Sequence, residues 1–373
     1  MNKKKKRVAF IFGRPRLNEA KLQFMPFALN FLKNLAEDGN NIIDVYITQS
    51  KTSHYTDNFP SNVNFIFLDN NFLWKNGFNR RLFYVFRSYF YFLIFWKKYD
   101  VVWGCGQLGI ILAGKLALRR RIKFICLNDE FPEISYSQIW VMNEKKYMSI
   151  ADELIIPDEV RIPILKRQVA FSSKTKFWVF PNIPLQKDTL EVSDIDWKTR
   201  LSISGKFMVY AGGISEENNI ELMLTSFQFS SSNLFLVVVG NAGKYKNRFL
   251  NHPQIIWQEE RLNDSELHGL MKQAVCSICY YADFSDLEYV GKSSGKIMRS
   301  LLVGTPVITT NFDSLKFIED DMMGLLVTTP VELAKAIDTI EAKEVFFKEN
   351  IQKNIFKYTF EKHWDNFSNE VLN

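Results

Sequence analysis

Six consecutive residues in the second half of the chain, Gly291-Lys292-Ser293-Ser294-Gly295-Lys296, combine small backbones with cations just ahead of an apolar stretch that reads as a helix. A helix start presents unpaired N–H groups and a partial positive charge. Ser293, Ser294 and Gly295 let the main chain approach an anion closely, and Lys296 adds a full charge, so the segment suits a phosphate or pyrophosphate. An ordinary helix cap with a solvated lysine would use the same residue types. In the first half, Gly13-Arg14-Pro15-Arg16 follows an apolar run. Its two arginines suit an anionic group, or stand solvated in a loop. Leu127-Asn128-Asp129-Glu130 closes another apolar run, the end at which open α/β sheets take their ligands. Asp129 or Glu130 could receive an acceptor proton or orient a sugar, or act as capping acids of a loop.

Other motifs are weaker. Gly104-Cys105-Gly106-Gln107-Leu108-Gly109 fits G-x-G-x-x-G, with Asp129 some way beyond it, which is the dinucleotide fingerprint as written. It follows a late strand of the first half rather than the opening one, so a close-packed strand-to-helix turn is the favoured reading. Cys276 and Cys279 match C-x-x-C inside an apolar strand, where this spacing turns the two sulfurs to opposite faces. Asp194 and Asp196 stand ahead of Trp197 as a helix cap would. The four histidines, His54, His252, His268 and His363, lack metal-ligand spacing, and no metal is expected.

These residues have to be positioned by regular elements. Val8–Gly13, Ile42–Thr48, Val63–Leu68, Asp100–Gly104, Lys123–Leu127, Ile150–Ile156 and Lys176–Phe180 read as strands, with helices over Glu19–Glu37, Leu82–Trp96 and Leu108–Leu118 between them. Phe180-Pro181-Asn182-Ile183-Pro184 and the polar stretch after it form the best linker. The alternation restarts at Lys206–Gly213 and continues through a helix near Asn219–Gln228, strands at Asn233–Gly240 and Gln254–Gln258, and a helix that Asp264 caps. Val275–Tyr281, Lys296–Val303 and Pro306–Thr310 then give strand, helix, strand. Strands alternating with helices imply parallel sheets covered on both faces.

With 373 residues the chain exceeds what one core usually organises. Its 47% hydrophobic and 24% charged residues are those of an ordinary globular protein. The net charge of +6 includes the run Lys3-Lys4-Lys5-Lys6-Arg7, which suits an anionic membrane surface or a solvated tail. Arg80 to Lys98 is basic at both ends and aromatic between, the pattern of an interfacial helix or of one buried against a sheet. No secretory leader or spanning segment is visible, and the four cysteines form no secreted-type framework, so a cytoplasmic protein, peripheral on a membrane at most, is expected.

The stretch from Tyr210 to Val327 resembles the nucleotide-binding half of the family 4 glycosyltransferases, of GT-B fold. Tyr210-Ala211-Gly212-Gly213 with Ile220-Glu221, then Gly304-Thr305-Pro306-Val307 and Gly324-Leu325-Leu326-Val327, carry the likeness. Phe180-Pro181-Asn182 is similar to the family's interdomain segment, and Tyr358-Thr359-Phe360-Glu361 to the start of its last helix, which crosses back to the first domain. The resemblance implies two Rossmann-like, doubly wound domains facing a cleft: an acceptor domain over residues 1–184, with a helix over 358–373 crossing back to it, and a donor domain over 185–357. It implies a metal-independent, retaining transfer of a sugar from a nucleotide-sugar to a hydroxyl of a glycan or lipid-linked acceptor in bacterial surface-polysaccharide synthesis, with no cofactor and no nucleic acid. The pyrophosphate would lie on Ser293, Ser294, Gly295 and Lys296, and the nucleoside between Gly212-Gly213, Gly240-Asn241 and Arg261-Leu262.

The sequence departs from that family's pattern in two places. Its two glutamates, spaced E-x7-E, fall on Gly291 and Arg299, so Glu288 would have to substitute for one of them. Its two phosphate-neutralising cations fall on Gly213 and Asn218, leaving Lys296 and Arg299 to carry that load. A non-catalytic partner subunit of the same fold, and an NAD(P)-dependent oxidoreductase using the Gly104–Gly109 turn, stand as the alternatives.

Overall fold

A computed structural model describes residues 5–13, 26–47, 59–67, 98–132, 138–190, 192–215, 218–282 and 287–372. The expectations for Lys3, Lys4, Arg14, Arg16, the helix Leu82–Trp96 and most of the aromatic segment Arg80–Lys98 fall outside these residues. The chain divides into two compact units, Met1–Phe180 and Pro181–Asn373.

In the first unit, seven strands, β1 (Lys6–Phe12), β2 (Asn41–Ile47), β3 (Val63–Phe67), β4 (Val101–Cys105), β5 (Lys123–Leu127), β6 (Glu153–Ile156) and β7 (Lys176–Val179), pair in the order β3-β2-β1-β4-β5-β6-β7. Every pairing is parallel. The near-continuous apolar runs of β1, β4 and β5 follow from burial on both faces. One face carries Ala9, Ile11, Val102, Phe124 and Leu154 against Leu108, Ile111 and Leu112 of the helix Gly106–Arg120. Lys6 and Arg7, read from sequence as part of a basic tail, belong to β1, and the Arg7 amide donates to Asp100 at 2.8 Å. Of the amphipathic stretch expected from Glu19, the described helix is Pro26–Glu37.

The second unit repeats the plan with six strands, β8 (Phe207–Ala211), β9 (Phe235–Val239), β10 (Ile255–Gln258), β11 (Ser277–Cys279), β12 (Val307–Thr310) and β13 (Gly324–Val327), in the order β10-β9-β8-β11-β12-β13. Side chains alternate across this sheet as the two-residue strand period requires. Val209, Ala211, Val237 and Val239 face Leu270 and Met271 of the helix Asp264–Gln273. Met208, Tyr210, Leu236 and Val238 face Met223 of the helix Ile220–Ser226 and Leu333, Ile337 and Ile340 of the helix Pro330–Ala342.

Local signals place these helices. Asp196 caps Trp197–Arg200, accepting from the Lys198 and Thr199 amides. The cap of Asp264–Gln273 is Asn263 in a capping box with Glu266, one residue ahead of the expected Asp264. Asp264 thereby falls in the first turn, where its carboxylate accepts from Arg299. Cys276 and Cys279 are buried free thiols. Among the described residues no helix is long and apolar enough to cross a membrane, and no three His, Cys, Asp or Glu side chains group as a metal would need.

Candidate functional site

Both sheets have the strand order in which neighbouring connections leave in opposite directions: between β1 and β4 in the first unit, and between β8 and β11 in the second. A crevice opens beyond the C-terminal strand ends at such a point, and it is the usual ligand position in this architecture. The two crevices differ in what fills them.

In the first unit, main chain occupies the place. The Gly13 amide donates to the Cys105 carbonyl at 3.0 Å, and the Gly13 carbonyl accepts from the amides of Leu108 (3.0 Å) and Gly109 (3.3 Å). Those are first-turn donors of the helix Gly106–Arg120, the groups a pyrophosphate would need. A Cβ on Gly109 would stand 2.5 Å from the Ile11 carbonyl oxygen. The Gly104–Gly109 motif is therefore a packing device: its glycines let β1 close on the helix start, and its anion site is filled by the protein itself. Gly13, expected to lie beside a ligand, is buried in that seam.

In the second unit the corresponding place is open. A cleft of about 520 Å3 is lined by Gly212 after β8, Gly240 and Asn241 after β9, Glu259, Arg261 and Leu262 after β10, and Asp264, Leu267 and Met271 of the next helix. Gly295, Lys296 and Arg299 of the helix Gly295–Leu302 complete it. The Ser294 hydroxyl caps this helix by accepting from the Ile297 amide at 3.2 Å, which leaves the Gly295 and Lys296 amides as its unshared donors. Gly212 and Gly240 have φ of +146° and +139°, a region open to glycine and costly for other residues. A Cβ on Gly212 would sit 2.7 Å from the Lys296 Cδ, and one on Gly240 2.8 Å from the Gly212 carbonyl oxygen. The Gly212 turn thus packs on the lysine stem, and the Gly240 turn packs on Gly212.

Lys296 is the best-placed cation. Its Nζ donates to Asn218 Oδ1 and lies 4.5 Å from the Tyr281 ring centroid and 5.6 Å from that of Tyr210. Burial lowers its pKa, opposed by nearby Cys279, because an ammonium stripped of water is disfavoured without a counter-charge. An incoming diphosphate would supply one. Arg299 is committed differently: its Nη1 donates to Asp264 Oδ1 at 2.5 Å.

The structure brings Gly212, Gly240, Asn241, Arg261, Leu262, Gly295, Lys296 and Arg299 together in one cleft, and places the rest of the expected donor set outside its lining. Ser293 and Ser294 do not line the cleft. The Ser293 hydroxyl donates to the Val290 carbonyl, and Ser294, buried, shares a hydrogen bond with the Tyr281 hydroxyl. Their amides close a 3-10 turn onto Val290 and Gly291. Small residues are there to make that turn. Gly213 is outside the lining; its carbonyl accepts from the Tyr210 hydroxyl. Glu288 sits in a short 3-10 turn, exposed and outside the cleft lining. Asn182, on the segment read as a linker, holds the loop in place: its amide donates to the Lys292 carbonyl at 2.9 Å and its Nδ2 to the Ser293 carbonyl at 3.1 Å.

Sequence reasoning missed Glu259, Asp264, Leu267 and Met271. Glu259 had a usable signal, since it follows a strand at the same edge as Gly212 and Gly240. In the first unit, Asp129 and Glu130 stand at the end of β5 as expected, beside an unanticipated partner. Arg161, buried, donates from Nη1 to the Asp129 carbonyl at 2.7 Å and packs over the Phe131 ring. Burial lowers the Arg161 pKa, against the raising effect of Asp129, Asp158 and Glu130.

No family model matches the chain, and no curated protein matches it. Solved structures do. A sucrose-phosphate synthase from Thermosynechococcus elongatus superposes with a TM-score of 0.70 at 16% identity, over 98% of this chain and 98% of that one. HepE of Anabaena in complex with UDP-glucose gives 0.66 at 13% identity, over 98% and 99%. The lipopolysaccharide outer core galactosyltransferase WaaB gives 0.64 at 12% identity, over 98% and 99%. The chain thus has the GT-B fold, two Rossmann-like parallel-sheet units in series. At identities this low the likeness establishes the fold, and the reaction has to be argued from the site.

Proposed function

We propose that this protein is a glycosyltransferase that binds a nucleotide-sugar in the second-unit cleft and moves its sugar to a hydroxyl acceptor. The observation that carries the reading is the open helix start: the Gly295 and Lys296 amides and the partly desolvated Lys296 ammonium face a cleft that Leu262, Leu267 and Met271 line with apolar surface. A diphosphate needs the first feature and a nucleoside base the second. As the sugar–phosphate bond breaks, negative charge grows on the departing diphosphate, and preorganised donors facing that charge lower the barrier. In this reading the phosphates lie at Gly295 and Lys296 and the base toward β10. Asp129 or Glu130 of the first unit is proposed to orient the acceptor hydroxyl or take its proton. Retention of configuration, independence of metal, a glycan or lipid-linked acceptor of bacterial surface polysaccharide, and membrane contact through the basic N-terminal run belong to the same proposal.

A second reading, a non-catalytic partner subunit, is favoured by one observation: Lys296 and Arg299 both have protein partners in the cleft, Asn218 and Asp264. Incubating the purified protein with UDP-, GDP- and ADP-sugars separates the two. Release of nucleoside diphosphate, with sugar appearing on an added acceptor or as free sugar, supports the transferase. Binding without turnover supports the partner subunit, and conversion of the bound sugar without transfer refutes both.

A further inference from the structure

A cavity of the first unit lies at the edge of the sheet opposite its C-terminal strand ends, away from the crevice where ligands are usual. β5, β6 and β7 are parallel neighbours that begin at Lys123, Glu153 and Lys176, so their first residues share that edge. The cavity there has a volume of about 620 Å3, and Ala117, Leu118, Ile122, Phe124 and Ile150 give it an apolar lining. Its charged lining is Arg121, Lys123, Lys174 and Lys176 against Asp152 and Glu153.

Both carboxylates serve the fold. Asp152 Oδ2 accepts from the Phe124 amide at 2.8 Å. Glu153, buried, accepts from Trp178 Nε1 at 2.7 Å and pairs with Lys123 at 3.1 Å. With Lys123 and Glu153 neutralising each other, three cations face one carboxylate. The side chains of Arg121 and Lys174 have no hydrogen-bond or ion-pair partner among the described residues.

The backbone presents both of these cations. Arg121 ends the helix Gly106–Arg120 at φ +54° and ψ +47°, its amide donating to the Ala117 carbonyl. Glycine is the usual residue at a left-handed helix end, because a Cβ crowds the backbone there. Cations favour the last turn of a helix, but Arg119 and Arg120 already fill that role. An arginine where glycine fits better, on a cavity wall and with its guanidinium uncommitted, is strain kept for the sake of the side chain. Across the cavity, Ser172 closes a turn by accepting from the Lys174 amide at 3.2 Å, and Thr175 Oγ1 donates to the Ala151 carbonyl at 2.7 Å. These bonds fix the main chain that carries Lys174.

We propose that this edge cavity binds a phosphate ester, with Arg121 and Lys174 taking the phosphate and Leu118, Ile122 and Ile150 the apolar part. Arginine meets a phosphate with two parallel N–H donors, and lysine adds a point charge. A soluble ester and the headgroup of a membrane lipid present the same chemistry. The site lies within the first unit and stands independently of the nucleotide reading of the second-unit cleft.

Two assays test it: calorimetric titration of phenyl phosphate and inorganic phosphate, and co-sedimentation with phosphatidylcholine vesicles with and without phosphatidylglycerol. Arg121→Gly and Lys174→Gln remove the proposed phosphate ligands. Lys335→Gln removes the same charge from an exposed position on the helix Pro330–Ala342 of the second unit, and Lys296→Met silences the second-unit cleft. Arg121→Gly should melt no lower than the wild type, because glycine adopts this backbone without strain. A soluble ligand predicts that phenyl phosphate binds more tightly than inorganic phosphate. Arg121→Gly and Lys174→Gln should each weaken that binding about fivefold or more, while Lys335→Gln and Lys296→Met leave it unchanged. A lipid headgroup predicts binding only to the vesicles with phosphatidylglycerol, with the same order among the variants. Either outcome supports the site. Absence of binding to phosphate esters and anionic vesicles alike overturns it. Binding that Arg121→Gly and Lys174→Gln leave intact, that Lys335→Gln weakens equally, or that only Lys296→Met abolishes also overturns it.

Discussion

Replacing Lys296 with methionine should leave the protein about as stable and nearly inactive, and the two halves of that expectation come from the same geometry. The lysine stem runs against Gly212, whose added Cβ would lie 2.7 Å from Cδ, and its ammonium sits over the Tyr281 ring. Methionine keeps a flexible apolar stem of similar length, so packing is retained. The variant gives up the hydrogen bond to Asn218, worth about 1.5–3 kcal/mol when one partner is charged, and a cation–π contact of about 0.5–2 kcal/mol. It also removes a half-buried ammonium with no carboxylate beside it, whose desolvation cost offsets part of that loss. These opposing contributions leave a net change within about 1 kcal/mol of zero. Turnover has no such compensation. Removing one preorganised donor from a developing oxyanion costs roughly 100- to 1000-fold in rate, and a nearby cation contributes at least as much at an effective dielectric of about 20. Urea denaturation and initial-rate assays with the donor found by screening would be run side by side. A folded Lys296→Met protein that turns over at the wild-type rate refutes the argument that this lysine faces the leaving group. A loss of several kcal/mol in stability refutes the claim that burying this charge is costly.

Three further outcomes are expected. Gly109→Ala should destabilise the first unit by about 1–3 kcal/mol, since its Cβ would meet the Ile11 carbonyl at 2.5 Å and the backbone must shift. NADH should give no thermal shift with the unmutated chain, because the Gly13 carbonyl fills the helix start, and a clear shift would mean that seam opens. His268 is buried with neither ring nitrogen hydrogen-bonded, and burial, reinforced by nearby Arg299, moves its pKa from 6.5 to about 4. Its folded value lies below its unfolded value, so the stability it contributes is complete above about pH 6.5 and is lost as pH falls through 4, roughly 3 kcal/mol in all. His268→Leu should therefore flatten the melting temperature between pH 7 and 4, and an unchanged acid profile would show that the imidazole is not neutral in the folded chain.

The alternation of apolar runs with amphipathic stretches determined two parallel α/β sheets, because a buried parallel strand needs continuous hydrophobic sequence and a crossover helix needs a 3.6-residue period. The glycine turns at Gly212 and Gly240 and the helix start at Gly295 and Lys296 were legible for the same reason: they depend on local backbone chemistry next to a strand end. Tertiary structure alone decided which of two similar-looking glycine-rich starts is open. The Gly104–Gly109 motif fits a nucleotide fingerprint better than Gly291–Lys296 does, yet the Gly13 carbonyl just after β1, some ninety residues away in sequence, occupies its donors. Packing likewise turned Ser293, Ser294 and Glu288 away from the cleft and brought Asp264 against Arg299 across 35 residues. Spacing along a chain records which groups can share an element. It does not record which neighbour reaches a helix end first, and that contest is settled only when the strands have docked.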